Sequence, residues 1–165
     1  MTPAYVALGS NLRDPPAQLK AAVAALARLP RSRLERISGV YRSAAVGPGS
    51  QPDYLNAVAR LLTALPPVPL LRALQAIEAQ QGRVRSERWG ARTLDLDLLL
   101  YGDLTLDTPE LRLPHPRMTR RNFVLYPLLD IGGSDLRLPD GTDLGTLVLE
   151  CPRGELEKTC LDLQQ

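Results

Sequence analysis

Two periods of apolar residues divide the chain. Tyr5-Val-Ala-Leu8 is a short apolar run that ends at Gly9-Ser10-Asn11, predicting a buried first strand and a loop. Behind Asp14-Pro15, suited to a helix cap and first helical position, Leu19, Ala22, Val23, Leu26 and Leu29 recur at helical spacing until Pro30. Residues 34–42 read as a second strand, and 43–52, containing Gly47-Pro48-Gly49, as a long loop. Residues 54–65 read as a third strand with Tyr54, Asn56 and Val58 on one face. Pro69 opens a second helix through Leu70, Leu71, Leu74 and Ile77 to Gly82, with Glu78 on its last turn. After residues 83–92, which have no apolar period, Leu94, Leu96, Leu98 and Leu100 alternate with Asp95 and Asp97 in a fourth strand, 93–101. A third helical segment kinked by Pro127 (116–130), a small hairpin (136–141) and a short helix (143–150) complete the chain.

The order strand, helix, strand, strand, helix, strand predicts an α+β fold with a ferredoxin-like βαββαβ core. In that arrangement the helices pack on one face of an antiparallel sheet, leaving the other for a ligand. Neither a repeat nor a linker interrupts residues 1–165, so one domain is expected.

Composition narrows the function classes. The chain has 165 residues, enough for a real core. Its longest charge-free apolar stretch of note, 61–71, carries three prolines and falls short of the roughly 20 residues that span a bilayer. With no signal-peptide pattern at the start, and two cysteines too few for a disulfide framework, a soluble cytoplasmic protein with reduced thiols is expected. The net charge of +2 hides a gradient: residues 1–82 carry +5, 83–121 carry +2 and 122–165 carry −5. The middle segment packs eight arginines and six acids together, a mixture that suits anions handled with metal ions better than a plain nucleic-acid stripe.

Asp95 and Asp97, two apart on a strand, project from one face with Cα atoms about 6.5–7 Å apart. Such a pair can hold a cation or two, and equally occurs on a half-solvated strand. Upstream lie Arg83, Arg85, Arg88 and Arg92, whose guanidinium forks match phosphate oxygens; a lone arginine run would merely solubilise. No phosphate-binding glycine loop accompanies them, so a bound nucleotide would depend on metals and arginines. His115 is the only histidine, which excludes multi-histidine zinc sites and leaves hydrogen bonding to phosphate or simple capping. Tyr54, Trp89 and Phe123 flank these polar clusters and could sandwich a flat heterocycle, whose edge the Asn56 amide could read as donor and acceptor.

Arg88-Trp-Gly-Ala-Arg-Thr-Leu-Asp-Leu-Asp97, together with Pro114-His-Pro-Arg-Met118 and Arg121-Asn-Phe-Val124, resembles the signature regions of the 6-hydroxymethyl-7,8-dihydropterin pyrophosphokinase family. Gly9-Ser-Asn11 and Gln51-Pro-Asp-Tyr-Leu-Asn56 are similar to its other motifs, and the resemblance runs from about residue 5 to about 140. It departs at Ser43-Ala44, where Thr-Pro is frequent, and at Ala91, where proline is usual; the tail from 143 carries no family motif. The resemblance implies transfer of pyrophosphate from ATP to the hydroxymethyl group of the dihydropterin, releasing AMP, in folate biosynthesis. Two Mg2+ ions would be held by Asp95 and Asp97, with Arg83 and Arg92 also catalytic. ATP would meet Gln75, Glu78, Arg85, Arg88, His115 and Arg121. The pterin would meet Ser43, Val46, Tyr54, Asn56, Trp89 and Phe123. A monomer acting on two small molecules is expected, without nucleic acid or membrane.

The rival from another class is a ferredoxin-like RNA-binding module. It wants aromatics on its central strands, whereas the fourth strand here shows Asp95 and Asp97, which would repel phosphate unless metals intervene. A bare metal-binding regulatory domain would need neither Asn56 nor the arginines.

Overall fold

The computed structural model describes residues 1–45, 50–82 and 93–164. Val46, the Gly47-Pro48-Gly49 turn and the arginine segment with Arg83, Arg85, Arg88, Trp89 and Arg92 lie outside the described residues.

Strands β1 (Thr2–Ser10), β4 (Tyr54–Thr63) and β5 (Asp95–Tyr101) form the centre and one edge of an antiparallel sheet, with β1 between the other two. On the far side of β4 lie β2 (Ser32–Ile37) and then β3 (Tyr41–Ser43), and β8 (Glu157–Lys158) adds to the edge of β3. Counting β2 and β3 as one interrupted strand gives the ferredoxin-like order. The single strand expected over 34–42 breaks because Ser38 turns its hydroxyl inward to accept the Val58 N–H at 2.8 Å.

Helices α1 (Pro15–Ala27) and α2 (Pro67–Gln80) cover one face, burying Leu19, Ala22, Leu26, Leu70, Leu74 and Ile77 against Val6, Leu8, Ala57, Leu96 and Leu98. Asp14 caps α1 as its sequence suggests, accepting from the Ala17 N–H.

The opposite face is only partly open. Helices α3 (Asn122–Gly132) and α4 (Leu144–Glu150) pack Val124, Leu125, Leu128 and Leu144 against Tyr5, Val58, Leu99 and Leu100. A bulge makes this second core possible. Val6 pairs with Leu98 and Tyr5 with Leu100, so Leu99 is an extra residue that reverses the alternation beyond it. Leu100, expected beside Leu94, Leu96 and Leu98, therefore joins the second core.

The helical segment expected over 116–130 is also divided: a 3-10 turn, Met118–Arg120, precedes α3, and Arg121 between them is extended. Pro127 sits inside α3. The small hairpin forms as a turn closed by one bridge, Arg137 to Asp143. An unanticipated two-stranded ribbon, β6 (Leu106–Asp107) and β7 (Arg112–Leu113), follows β5. Among the described residues no helix is long and apolar enough to cross a membrane.

Candidate active site

Gly9 of β1 lies directly opposite Asp95 of β5 on one side and Asn56 of β4 on the other; in the next row Ala7 lies between Asp97 and Val58. Directly opposed residues face the same way, so both carboxylates and the amide share the face that α3 half covers. With strands about 4.8 Å apart, Asp95 and Asn56 stand roughly 10 Å apart at Cα. Between them Gly9 contributes no side chain. A Cβ there would lie 3.6 Å from Asn56 Oδ1 and 3.7 Å from the Tyr54 ring.

Asn56 is 4% exposed and held from behind. Its Nδ2 donates to the Tyr41 carbonyl at 3.1 Å and to Ser43 Oγ at 2.8 Å. Because a carbonyl only accepts, the amide orientation is fixed, and Oδ1 is left toward the space over Gly9. Where the residue type offered both donor and acceptor, the site presents an acceptor. Asn11, quoted in a motif but given no role from sequence, proves to be a buried brace. Its Nδ2 donates to the Pro52 carbonyl at 3.1 Å and to Gln51 Oε1 at 3.4 Å, tying the end of β1 to the residues that lead into Tyr54.

At the other end of the row, β5 is the outermost strand and Glu78 closes its edge. The Glu78 side chain is 2% exposed, and its Oε2 accepts the Leu96 N–H at 2.7 Å, between the two aspartates. Asp95 and Asp97 themselves are half-buried. Arg121, at the start of α3, brings its guanidinium to 3.9 Å from Asp97 Oδ2 and lies over the Phe123 ring at 5.5 Å. Cation, carboxylates and aromatic ring thus meet on the open part of the face.

His115 donates its backbone N–H to the Leu99 carbonyl at 2.9 Å, and its Nδ1 accepts the Arg117 N–H at 3.2 Å. The ring proton therefore belongs on Nε2. Burial first, then the Arg121 and Arg117 charges, push its pKa down to about 4 against a smaller opposing effect of Asp95. At neutral pH the ring is an uncharged donor.

A cavity of about 280 Å³ opens beside the edge of β5, between α2 and the β6–β7 ribbon. Leu71, Leu98 and Leu111 give it apolar lining, and Gln75, Glu110, Asp97 and His115 polar lining. Of the residues singled out from sequence, Asp95, Asp97, Ser43, Tyr54, Asn56, Arg121 and Phe123 gather on or beside one face, while Gln75 and His115 line the adjoining cavity. Glu78 lies buried behind the strand. The ribbon residues Pro109, Glu110, Leu111 and Arg112 were missed, because 102–113 has no apolar period, and Leu71 and Leu98 looked like ordinary core.

Among the described residues no group of three or more histidine, cysteine or acidic side chains could hold a metal alone. Two same-face carboxylates fit magnesium, which characteristically takes one or two carboxylates and fills its remaining positions with water and substrate phosphate.

Residues 5–133 match the family model of 7,8-dihydro-6-hydroxymethylpterin-pyrophosphokinase. The 2-amino-4-hydroxy-6-hydroxymethyldihydropteridine pyrophosphokinase of Pseudomonas aeruginosa is 54% identical over 154 residues, covering 93% of this chain and 94% of that protein. The enzyme of the same name from Haemophilus influenzae is 50% identical over 148 residues, covering 90% and 92%. In fold, the chain is similar to a crystal structure of HPPK-DHPS in complex with substrates, with a TM-score of 0.71 at 10% identity over 90% of this chain. It is also similar to wild-type HPPK-DHPS of Plasmodium falciparum, with a TM-score of 0.69 at 12% identity over 90% of this chain. The chain spans 43% and 44% of those two longer chains, and at such identity the likeness is one of fold. Matched along most of its length by one family model and by relatives with half or more of their residues identical, the chain belongs to the 7,8-dihydro-6-hydroxymethylpterin-pyrophosphokinase family.

Proposed function

We propose that the chain transfers pyrophosphate from ATP to the hydroxymethyl group of 6-hydroxymethyl-7,8-dihydropterin, the step of folate biosynthesis that its family performs, with the site divided along the row from Asn56 to Asp95. The observation that carries this division is the shared position of Asp97: it lines the β5 cavity and lies on the face that leads, past Gly9, to Asn56. A nucleotide base between Leu71, Leu98 and Leu111 directs its triphosphate toward the aspartates, and a pterin at Asn56 directs its hydroxymethyl group toward the same point.

The Asn56 acceptor reads an N–H edge of the pterin ring, Tyr54 and Phe123 supply apolar surface for it, and Ser43 fixes the amide. Neutral His115 donates through Nε2 to a phosphate oxygen, and Arg121 exchanges its 3.9 Å approach to Asp97 for the triphosphate. Gln75 faces the base. Glu78 acts on the nucleotide side by holding Leu96, and so both aspartates, in place. Asp95 and Asp97 would hold two magnesium ions, which would supply charge neutralisation and orientation when bound.

The substrate hydroxyl oxygen forms a bond to the β-phosphorus and its proton passes to water, the bond from that phosphorus to the α,β-bridging oxygen breaks, and AMP leaves with the bridging oxygen. Positioning and electrostatics carry most of the acceleration in such a transfer. The arginines at 83, 85, 88 and 92, in the sequence joining α2 to β5, are assigned to the triphosphate, with Arg83 and Arg92 as catalytic groups; Trp89 and Val46 are assigned to the pterin side. The protein works as a monomer in the cytoplasm.

The test is AMP release from ATP and magnesium with and without the pterin. AMP should form only when pterin and magnesium are both present. Formation of ADP and a pterin monophosphate would show single phosphoryl transfer and sink the proposal.

A further inference from the structure

We infer that the C-terminal segment, residues 155–164, is a positioning element of the substrate site, holding Asn56 in its ligand-reading orientation from across the sheet. This inference rests on the proposed role of Asn56. The segment lies beyond the family match, which ends at residue 133, and its sequence carries no motif of its own.

The row that contains the site extends further than the site. From Asp95 it passes through Gly9 and Asn56 to Tyr41 of β3, and from Tyr41 to Lys158 of β8, each directly opposite the next. Strand β3 is three residues long, is separated from β2, and supplies both groups that orient the Asn56 amide, the Tyr41 carbonyl and the Ser43 hydroxyl. On its inner edge β3 pairs with β4; on its outer edge it depends on the tail.

The tail is fastened closely. Thr159 directs both its backbone N–H and its hydroxyl to the Val40 carbonyl, at 2.8 and 2.9 Å. Lys158 reaches Asp130 of α3 at 3.3 Å and lies over the Tyr41 ring at 5.6 Å, while Tyr41 donates its hydroxyl to the same carboxylate at 3.0 Å. Leu156 and Leu163, 6% and 3% exposed, anchor the segment in apolar surroundings. So short a strand, paired on one side only, would leave its outer backbone groups to water and fray. With the tail in place, β3 is closed on both edges, and the Asn56 donors have fixed partners. The nucleotide cavity lies beyond β5, on the opposite edge of the sheet, and is not reached by this device.

Removing the tail would also expose Leu156 and Leu163, so the test is the full chain carrying Lys158→Ala and Thr159→Ala, which keeps both anchors. Two quantities are measured beside the parent protein: exchange of the Asn56 side-chain amide protons by NMR, and calorimetric affinity for 6-hydroxymethyl-7,8-dihydropterin and for a non-cleavable ATP analogue. The variant should exchange those protons faster and bind the pterin about five- to tenfold more weakly, the loss expected for about one hydrogen bond, with ATP-analogue affinity changed less than twofold. Unchanged exchange overturns the inference, as does equal weakening of both ligands, the mark of general destabilisation. Asn56→Ala is run in parallel. Pterin binding unaffected by Asn56→Ala would remove Asn56 from the pocket, a failure of the functional reading alone, and exchange in the tail variant would still decide whether the tail holds the amide.

Discussion

Asp95 and Asn56 stand in one row of the sheet, each directly opposite Gly9, so the carboxylate end and the amide end of the site share a floor whose middle position carries no side chain. The floor's flatness is itself testable. Gly9→Ala places a methyl group at ordinary contact distance, 3.6 Å from Asn56 Oδ1 and 3.7 Å from Tyr54, and should fold normally with kcat/KM for the pterin reduced about tenfold or less. Gly9→Leu fills the gap and should cost at least about 100-fold while ATP-analogue binding persists. A Gly9→Leu enzyme with near-parental kcat/KM would show that substrate does not cross this row.

The aspartates separate stability from function. Both face outward from β5 and are half-buried, so Asp95→Asn, which keeps the side chain's size and one accepting oxygen, should leave the protein folded with little change in melting temperature. Turnover at saturating ATP and moderate magnesium should fall by at least about 100-fold, because loss of several kcal/mol of charge stabilisation at phosphate is felt in the transition state. Parental turnover in Asp95→Asn or Asp97→Asn, with circular dichroism unchanged, would remove the pair from the metal site.

How far the sequence reached depends on the range of the interactions. The period of two that sets Asp95 and Asp97 on one face is local, and so is the Asp14 cap, and both are found where they were expected. The bulge at Leu99 is not local: in Leu98-Leu99-Leu100 every position is apolar, so either alternation fits, and only pairing with Tyr5 and Val6 selects the shift. The break at Ser38 depends on Val58, and the brace at Asn11 on Pro52, each distant in sequence. The covered half of the second face follows from α3, whose apolar residues have no visible destination until the sheet exists. Glu78 could be read as a polar residue near a helix end, but its contact with Leu96 requires that β5 be an edge strand, which is a property of the assembled sheet.

Glu78 should therefore behave as a support for the two aspartates. Glu78→Ala leaves the Leu96 N–H without an acceptor in a buried setting, a loss of about 1–3 kcal/mol in unfolding free energy by urea denaturation. It should also raise the magnesium concentration needed for half-maximal turnover, since Leu96 separates the ligands. Glu78→Gln keeps an accepting oxygen and should recover most of both effects. If Glu78→Ala altered only nucleotide affinity, with stability and magnesium dependence unchanged, the carboxylate would be a direct ligand contact instead.

His115 gives a prediction in pH. In the folded protein its pKa is pushed down to about 4 by burial and by the Arg121 and Arg117 charges, whereas in the unfolded chain it returns to about 6.5. Above pH 6.5 both states are neutral at this residue and its neutral burial costs nothing further. As pH falls from 6.5 toward 4 only the unfolded chain takes up the proton, so stability falls with falling pH across that window and this contribution levels off below it. The loss from pH 7 to pH 5 should amount to up to about 2 kcal/mol, the size being limited by the partial exposure of the ring. Carboxylates also begin to titrate near the lower end, so the measurement is the difference between parent and His115→Gln in urea midpoint-derived stability at each pH. The parent should lose more than the variant on going from pH 7 to pH 5. An equal loss in both proteins would mean that His115 titrates in the fold as it does in the unfolded chain, so that the ring would be a neutral Nε2 donor only above about pH 6.5 and a cation below it.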